Sequence, residues 1–104
     1  MRKAIYDKCG GHCAYCGTKI KLKDMQSDHI QPKSRNGSNS LSNYLPSCYS
    51  CNASKGSYTV EEFRAMLLKG VFMLRRDSSK YRVLERFGIV GELKAEVVFY
   101  FEAM

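Results

Sequence analysis

Four cysteines stand in two identical pairs, Cys13-Ala14-Tyr15-Cys16 and Cys48-Tyr49-Ser50-Cys51, with residues 17–47 between them. Two C-x2-C knuckles on one chain supply the four thiolates that a tetrahedral zinc ion takes, and a site closed by four thiolates is structural because no coordination position stays open. Inside the intervening segment lies Asp28-His29, and Asn52 follows the second pair directly. These residue types suit phosphodiester hydrolysis, which needs an activated water and a cation near the leaving oxygen. Histidine titrates near neutrality and suits the base role. The Asp28 carboxylate and the Asn52 amide oxygen are hard ligands of the kind Mg2+ prefers. Each residue also has an ordinary reading: Asp28 as a surface charge, His29 as a packed ring, Asn43 as a turn former, Asn52 as a helix cap.

The remaining chemistry-bearing groups are few. His12 adjoins Cys13 and is the one competitor for a ligand role, though it reads more readily as an exposed turn residue. Cys9 is the fifth cysteine; an odd count fits poorly with a closed disulfide set, and Cys9 reads as a free thiol packed under the first turn. The first seven residues, Met1-Arg2-Lys3-Ala4-Ile5-Tyr6-Asp7, lack the apolar centre of a signal peptide, and no apolar run reaches the roughly 18 residues of a membrane span. The expectation is a cytoplasmic protein without a membrane partner, in a reducing compartment.

Net charge is +7 over 104 residues, and it is uneven. Residues 1–58 carry 9 Lys/Arg against 3 Asp/Glu, while residues 59–104 carry 8 against 7. The positive half surrounds Asp28-His29, and a concentrated positive field suits a polyanion, nucleic acid first among them. Lys33 and Arg35 lie in a run of turn formers, Lys33 to Ser40, where they either meet phosphates or are simply solvated.

The elements that position these groups are legible in outline. A helix is expected over residues 2–9, stopped at Gly10-Gly11. Met25 to Gln31 reads as a strand ended by Pro32, paired as a hairpin with the return segment Leu41 to Ser47. A second helix is expected from Cys48 to Lys55, stopped by Gly56. Thr59-Val60-Glu61-Glu62 is a capping box, followed by Val60, Phe63 and Leu67 at helical spacing and a stop at Gly70. Residues 79–87 read as an amphipathic helix with Tyr81, Leu84 and Phe87 inward. Val97 to Phe101 is β-branched and aromatic and is expected as a strand.

Taken together, Cys13-x2-Cys16, Asp28-His29-Ile30-x-Pro32, Asn36-Gly37, Leu41-Ser42-Asn43 and Pro46-x-Cys48-x2-Cys51-Asn52-x-x-Lys55-Gly56 resemble the zinc-bearing HNH endonucleases over roughly residues 9–64. The resemblance implies an α+β chain of ββα-metal (His-Me finger) type. It would be one domain over 1–104, with a core of about 1–58 and a helical extension of about 59–104 that ends in a short strand. It implies that Asp28 and Asn52 bind one catalytic Mg2+ or Mn2+, and that His29 activates water. Asn43 would steady the loop and the His29 backbone. The third letter of the motif is Asn52 where many members carry histidine. The products would bear a 3′-hydroxyl and a 5′-phosphate. Lys55 would contact phosphate or, as a cation at a helix end, the local dipole. The implied partner is DNA, double-stranded and read with weak sequence specificity. A non-catalytic zinc-stabilised nucleic-acid-binding module, or a subunit of a larger phage or defence assembly, is the alternative.

Overall fold

The computed structural model describes residues 1–94 and 96–104. They divide into two compact units, one of residues 1–63 with 98–104 and one of residues 64–97. The first unit thus runs past the expected boundary near residue 58 and takes in the C-terminal residues.

In the first unit, helix α1 (Arg2–Asp7) buries Ile5. Its flanking cations fasten it to the loops around it. The Arg2 guanidinium donates to the carbonyls of Leu22 (2.8 Å) and Met25 (2.7 Å), and the Lys8 ammonium donates to those of Leu41 (2.6 Å) and Tyr44 (2.7 Å). Part of the positive charge of this half is therefore spent on folding.

Strands β1 (Gln26–His29) and β2 (Tyr44–Ser47) form an antiparallel hairpin that sets Asp28 opposite Leu45 and His29 opposite Tyr44. Pro46 is tolerated because a two-stranded ladder leaves one side of each strand unpaired; its carbonyl instead accepts from Ala14 N (2.8 Å) in the first knuckle. β1 is shorter than the expected 25–31 because Asn43 takes over. The Asn43 carbonyl accepts from Ile30 N (2.8 Å), and its side-chain oxygen accepts from Gln31 N (2.9 Å).

Helix α2 (Tyr49–Lys55) begins at Cys48, whose sulfur accepts from Cys51 N (3.4 Å), and ends at Gly56 with φ +50°. Helix α3 (Val60–Asp77) opens on the expected capping box: Glu62 N donates to Thr59 Oγ1 (3.2 Å) and Thr59 N to Glu62 Oε1 (2.9 Å). It does not stop at Gly70. Glycine lowers helix propensity without breaking the hydrogen-bond ladder, and the residues beyond Gly70 carry the helix on.

The expected strand at 97–101 is also absent. Tyr100 N and Phe101 N donate to the carbonyls of Tyr15 (3.1 Å) and Ala14 (2.8 Å), and the chain closes into a 3-10 turn, Tyr100–Glu102. The Glu102 carboxylate accepts from Phe99 N (2.9 Å), which bends the chain where a strand would continue. The aromatic content does serve burial: Phe99 stacks on Phe63 (5.4 Å between centroids) and meets Tyr15 edge-on (5.1 Å).

In the second unit, α4 (Ser79–Arg86) is capped by Ser78, whose hydroxyl accepts from Tyr81 N (3.1 Å). Tyr81 and Leu84 are half-buried, but Phe87 is 77% exposed. It stands beyond the last helical residue, so helical spacing does not aim it inward. Among the described residues no helix is long and apolar enough to cross a membrane.

Candidate active site and metal centre

The two knuckles meet. The four sulfurs of Cys13, Cys16, Cys48 and Cys51 all lie within 4.8 Å of one another, with Cys16 and Cys48 3.9 Å apart. Zinc–sulfur bonds of about 2.3 Å place the sulfurs about 3.8 Å apart along a tetrahedral edge, so this cluster fits such an ion. The thiols differ in acidity. Burial opposes ionisation of Cys13, but hydrogen bonds from the backbone of Cys48, Cys16 and Tyr15 bring it down to about 7. Burial and the charge of Cys13 push Cys51 far up. Four thiolates this close need a cation among them. His12 stays outside, its ring edge-on to Tyr100 at 5.2 Å. Cys9 is buried apart from the cluster, and burial pushes its thiol up.

Beside the knuckles lies a hollow of about 340 Å³ bordered by Asp28, His29, Lys33, Asn52 and Ser57. β1 delivers Asp28 and His29 to it, α2 delivers Asn52, and the turn Lys33–Arg35 delivers Lys33. The carboxylate and the amide that border it are oxygen donors of the kind a hard divalent cation takes.

His29 sits against Tyr44, with ring centroids 4.5 Å apart. Its Nε2 lies 3.0 Å from Asn39 Oδ1, which also accepts from the Tyr44 hydroxyl (3.2 Å). An amide oxygen only accepts, so Nε2 carries the proton and Nδ1 is the basic nitrogen. Asn43 fastens the connection behind it, donating from Nδ2 to the carbonyls of Gln31 (3.1 Å) and Ser38 (2.8 Å).

Asp28 is 3% exposed. The Tyr15 hydroxyl donates a short hydrogen bond to Oδ2, and the Lys55 ammonium lies 3.2 Å from Oδ2 and 3.3 Å from Oδ1. Burial raises the Asp28 carboxyl above its ordinary range, against the pull of Tyr15 and Lys55. Burial and the charge of Asp28 hold the Tyr15 phenol far above its own range, so it remains a donor.

The three cations singled out in the sequence lie in different surroundings. Lys55 is fully buried against Asp28, closed off from solvent. Arg35 is exposed but paired with Glu62, the residue that closes the α3 capping box. Of the three, Lys33 alone borders the hollow. Sequence reasoning passed over Tyr15, Asn39 and Tyr44. Tyr15 sits inside a knuckle already assigned to metal, and Asn39 is one polar residue in a loop full of them.

Residues 13–58 match the HNH endonuclease family. This segment, which holds both knuckles, Asp28, His29, Asn43 and Asn52, is therefore similar to an HNH domain. The CRISPR-associated endonuclease Cas9 of Corynebacterium diphtheriae is 44% identical over 46 residues, which are 43% of this chain. The SPbeta prophage-derived protein YoqL of Bacillus subtilis strain 168, assigned by name to the HNH endonucleases, is 38% identical over 68 residues, which are 55% of this chain. The chain spans 4% and 28% of the lengths of these two relatives. The crystal structure of the Type II-C Cas9 enzyme from Actinomyces naeslundii matches 82% of this chain and 10% of that one, with a TM-score of 0.58 and 24% identity. That likeness is one of fold.

Proposed function

We propose that this chain is a metal-dependent endonuclease that hydrolyses DNA phosphodiester bonds. One observation carries the reading: Asp28, His29 and Asn52, from two different elements, border one open hollow within the HNH segment. The Cys13–Cys16–Cys48–Cys51 cluster would hold zinc and join the knuckles that fix β2 and α2. Asp28 and Asn52 would hold Mg2+ or Mn2+. When bound there, the ion supplies charge stabilisation for the departing oxygen. His29 takes the proton of the attacking water at Nδ1, because Asn39 holds the other nitrogen protonated. Asn43 keeps the His29 backbone and its loop in register. Lys33 faces the backbone phosphate at the rim. No separate recognition element is assigned, so binding is dominated by phosphate contacts and weakens steeply with salt.

The test is nicking of supercoiled plasmid by zinc-loaded protein with Mg2+ or Mn2+. His29→Ala is expected to lower the rate by about 10²–10⁴ and to leave zinc content and DNA affinity in place, since loss of a general base costs that much. Mild EDTA is expected to stop cleavage before the fold is lost, because oxygen ligands hold Mg2+ weakly and thiolates hold zinc tightly. Wild-type cutting by His29→Ala sinks the reading. The short span against its relatives favours a second reading, in which this domain works inside a larger assembly. A free chain that binds DNA and zinc yet never nicks would point there.

A further inference from the structure

The buried pair beneath the hollow has a feature that an ordinary core ion pair lacks. Lys55 contacts both neighbours of the proposed chemistry: its ammonium bonds the Asp28 carboxylate and also the carbonyl of His29 (2.9 Å). Lys55 and Asn52 sit on successive turns of α2, so one helix carries both this cation and a proposed metal ligand. The lysine side chain is 0% exposed and that of Asp28 4%. A buried charge that loses its partner is strongly destabilising. Tyr15 adds the third contact, and its ring meets the stacked Phe63 (5.4 Å) and Phe99 (5.1 Å) edge-on, so the phenol oxygen has little freedom to move.

We propose that Lys55 is a built-in counter-cation of the site, a positioning residue whose ammonium holds Asp28 and the His29 backbone in register and carries, without any metal, part of the positive charge that a divalent ion adds when it binds. The inference rests on the nuclease reading for the identity of that ion. The geometry explains how the carboxylate is held in a fixed orientation in a nearly dry place before the ion arrives. Each carboxylate oxygen has more than one acceptor direction, so contacts to Tyr15 and Lys55 leave capacity for a cation on the hollow side. Tyr15 acts with Lys55, as a neutral donor that aims the carboxylate without altering the charge balance.

The consequence is a trade between the two cations. Lys55→Met keeps the length of the side chain and removes its charge. Asp28 then has no buried countercharge, and a divalent ion becomes its main source of one. The measurement is the thermal midpoint of zinc-loaded protein with and without millimolar Mn2+, which involves no DNA and no turnover. Wild type is expected to rise modestly, as binding to the folded state requires. Lys55→Met is expected to melt lower without Mn2+ and to gain at least about twice the wild-type shift with it. The double variant Lys55→Met/Asp28→Asn, neutral on both sides, is expected to show almost no response. Lys55→Met with a Mn2+ response equal to wild type overturns the proposal. So does a Lys55→Met chain that stays unfolded at saturating Mn2+, because the ion then does not stand in for the lysine. Plasmid nicking by wild type separates the two levels. If wild type nicks and Lys55→Met shows no enhanced Mn2+ response, only the counter-cation role fails. If wild type neither nicks nor responds to Mn2+, the nuclease reading falls with it.

Discussion

Residues 1–63 with 98–104 and residues 64–97 are both compact, yet they are held in opposite ways. The buried hydrophobic side chains among the described residues (Ile5, Cys9, Cys13, Ala14, Tyr15, Met25, Leu45, Phe63 and Phe99), together with the buried Pro32 and Pro46, all belong to the first unit. That core is small, and directional contacts supplement it: the four-cysteine cluster, the Arg2 and Lys8 ties to loop carbonyls, and the buried Tyr15–Asp28–Lys55 group. Among its described residues the second unit has no such centre. Phe72, Phe87 and Ile89 are 62%, 77% and 68% exposed, and the unit relies on helix hydrogen bonds and on arginine-to-carbonyl ties such as Arg82 to Arg75 O (2.7 Å). The lesson is that precision is concentrated around the candidate site. Small changes in the first unit should cost much, and the second should absorb them.

The largest break in this contrast comes from the cysteines. Cys13→Ser is expected to lose zinc and unfold the first unit, since structural zinc contributes roughly 10–16 kcal/mol of apparent binding energy and a domain's net stability is smaller. Circular dichroism and metal content check it. A zinc-free variant with an unchanged melt would mean that the apolar core suffices alone.

Cys13→Ser tests the part of the molecule that was plain in the sequence. Two C-x2-C pairs announce their own convergence because thiolate chemistry leaves few other uses for them. The hairpin was legible too, through the turn formers between its strands, as was α2 with its Gly56 stop. What escaped depended on tertiary context. Lys55 looks like any basic residue at a helix end until the fold places Asp28 over it. Arg35 looks free until α3 brings Glu62 to it. The aromatic run at 97–101 carries strand propensity, but the amides of Tyr100 and Phe101 found the Tyr15 and Ala14 carbonyls of a knuckle instead. Periodicity reports how much a segment buries, and it does not report what the segment is buried against.

A smaller break separates geometry from burial. A Cβ on Gly37 would lie 1.8 Å from the Gln31 carbonyl oxygen and 2.8 Å from that of Pro32, both backbone atoms that cannot swing away. Gly37→Ala must therefore push apart the loop that Asn43 ties together, and the displacement reaches Asn39 and so His29. The expected loss is about 1–3 kcal/mol, typical of forcing atoms into filled space. Nicking should fall further than that loss alone explains, since a well-folded fraction would still hold His29 askew. A Gly37→Ala protein with normal melting and normal nicking would show that this loop is looser than its hydrogen bonds indicate.

The smallest effect belongs to the other unit and has the opposite sign. Gly70 lies in the middle of α3, exposed, and a Cβ there would meet nothing within 4 Å. The helix already runs through it to Asp77, so the backbone conformation suits alanine as well as glycine. Gly70→Ala should then gain about 0.5–1 kcal/mol, because it removes conformational freedom from the unfolded chain and adds no clash. Nicking and zinc content should not change, as none of the residues that border the hollow lies beyond Ser57. Chemical denaturation followed by circular dichroism resolves a difference of that size if unfolding is two-state. If instead the two units unfold separately, the gain should appear only in the transition that belongs to residues 64–97. A loss of stability on Gly70→Ala would mean that α3 needs to bend at Gly70, and the description of the second unit as the tolerant one would have to be given up.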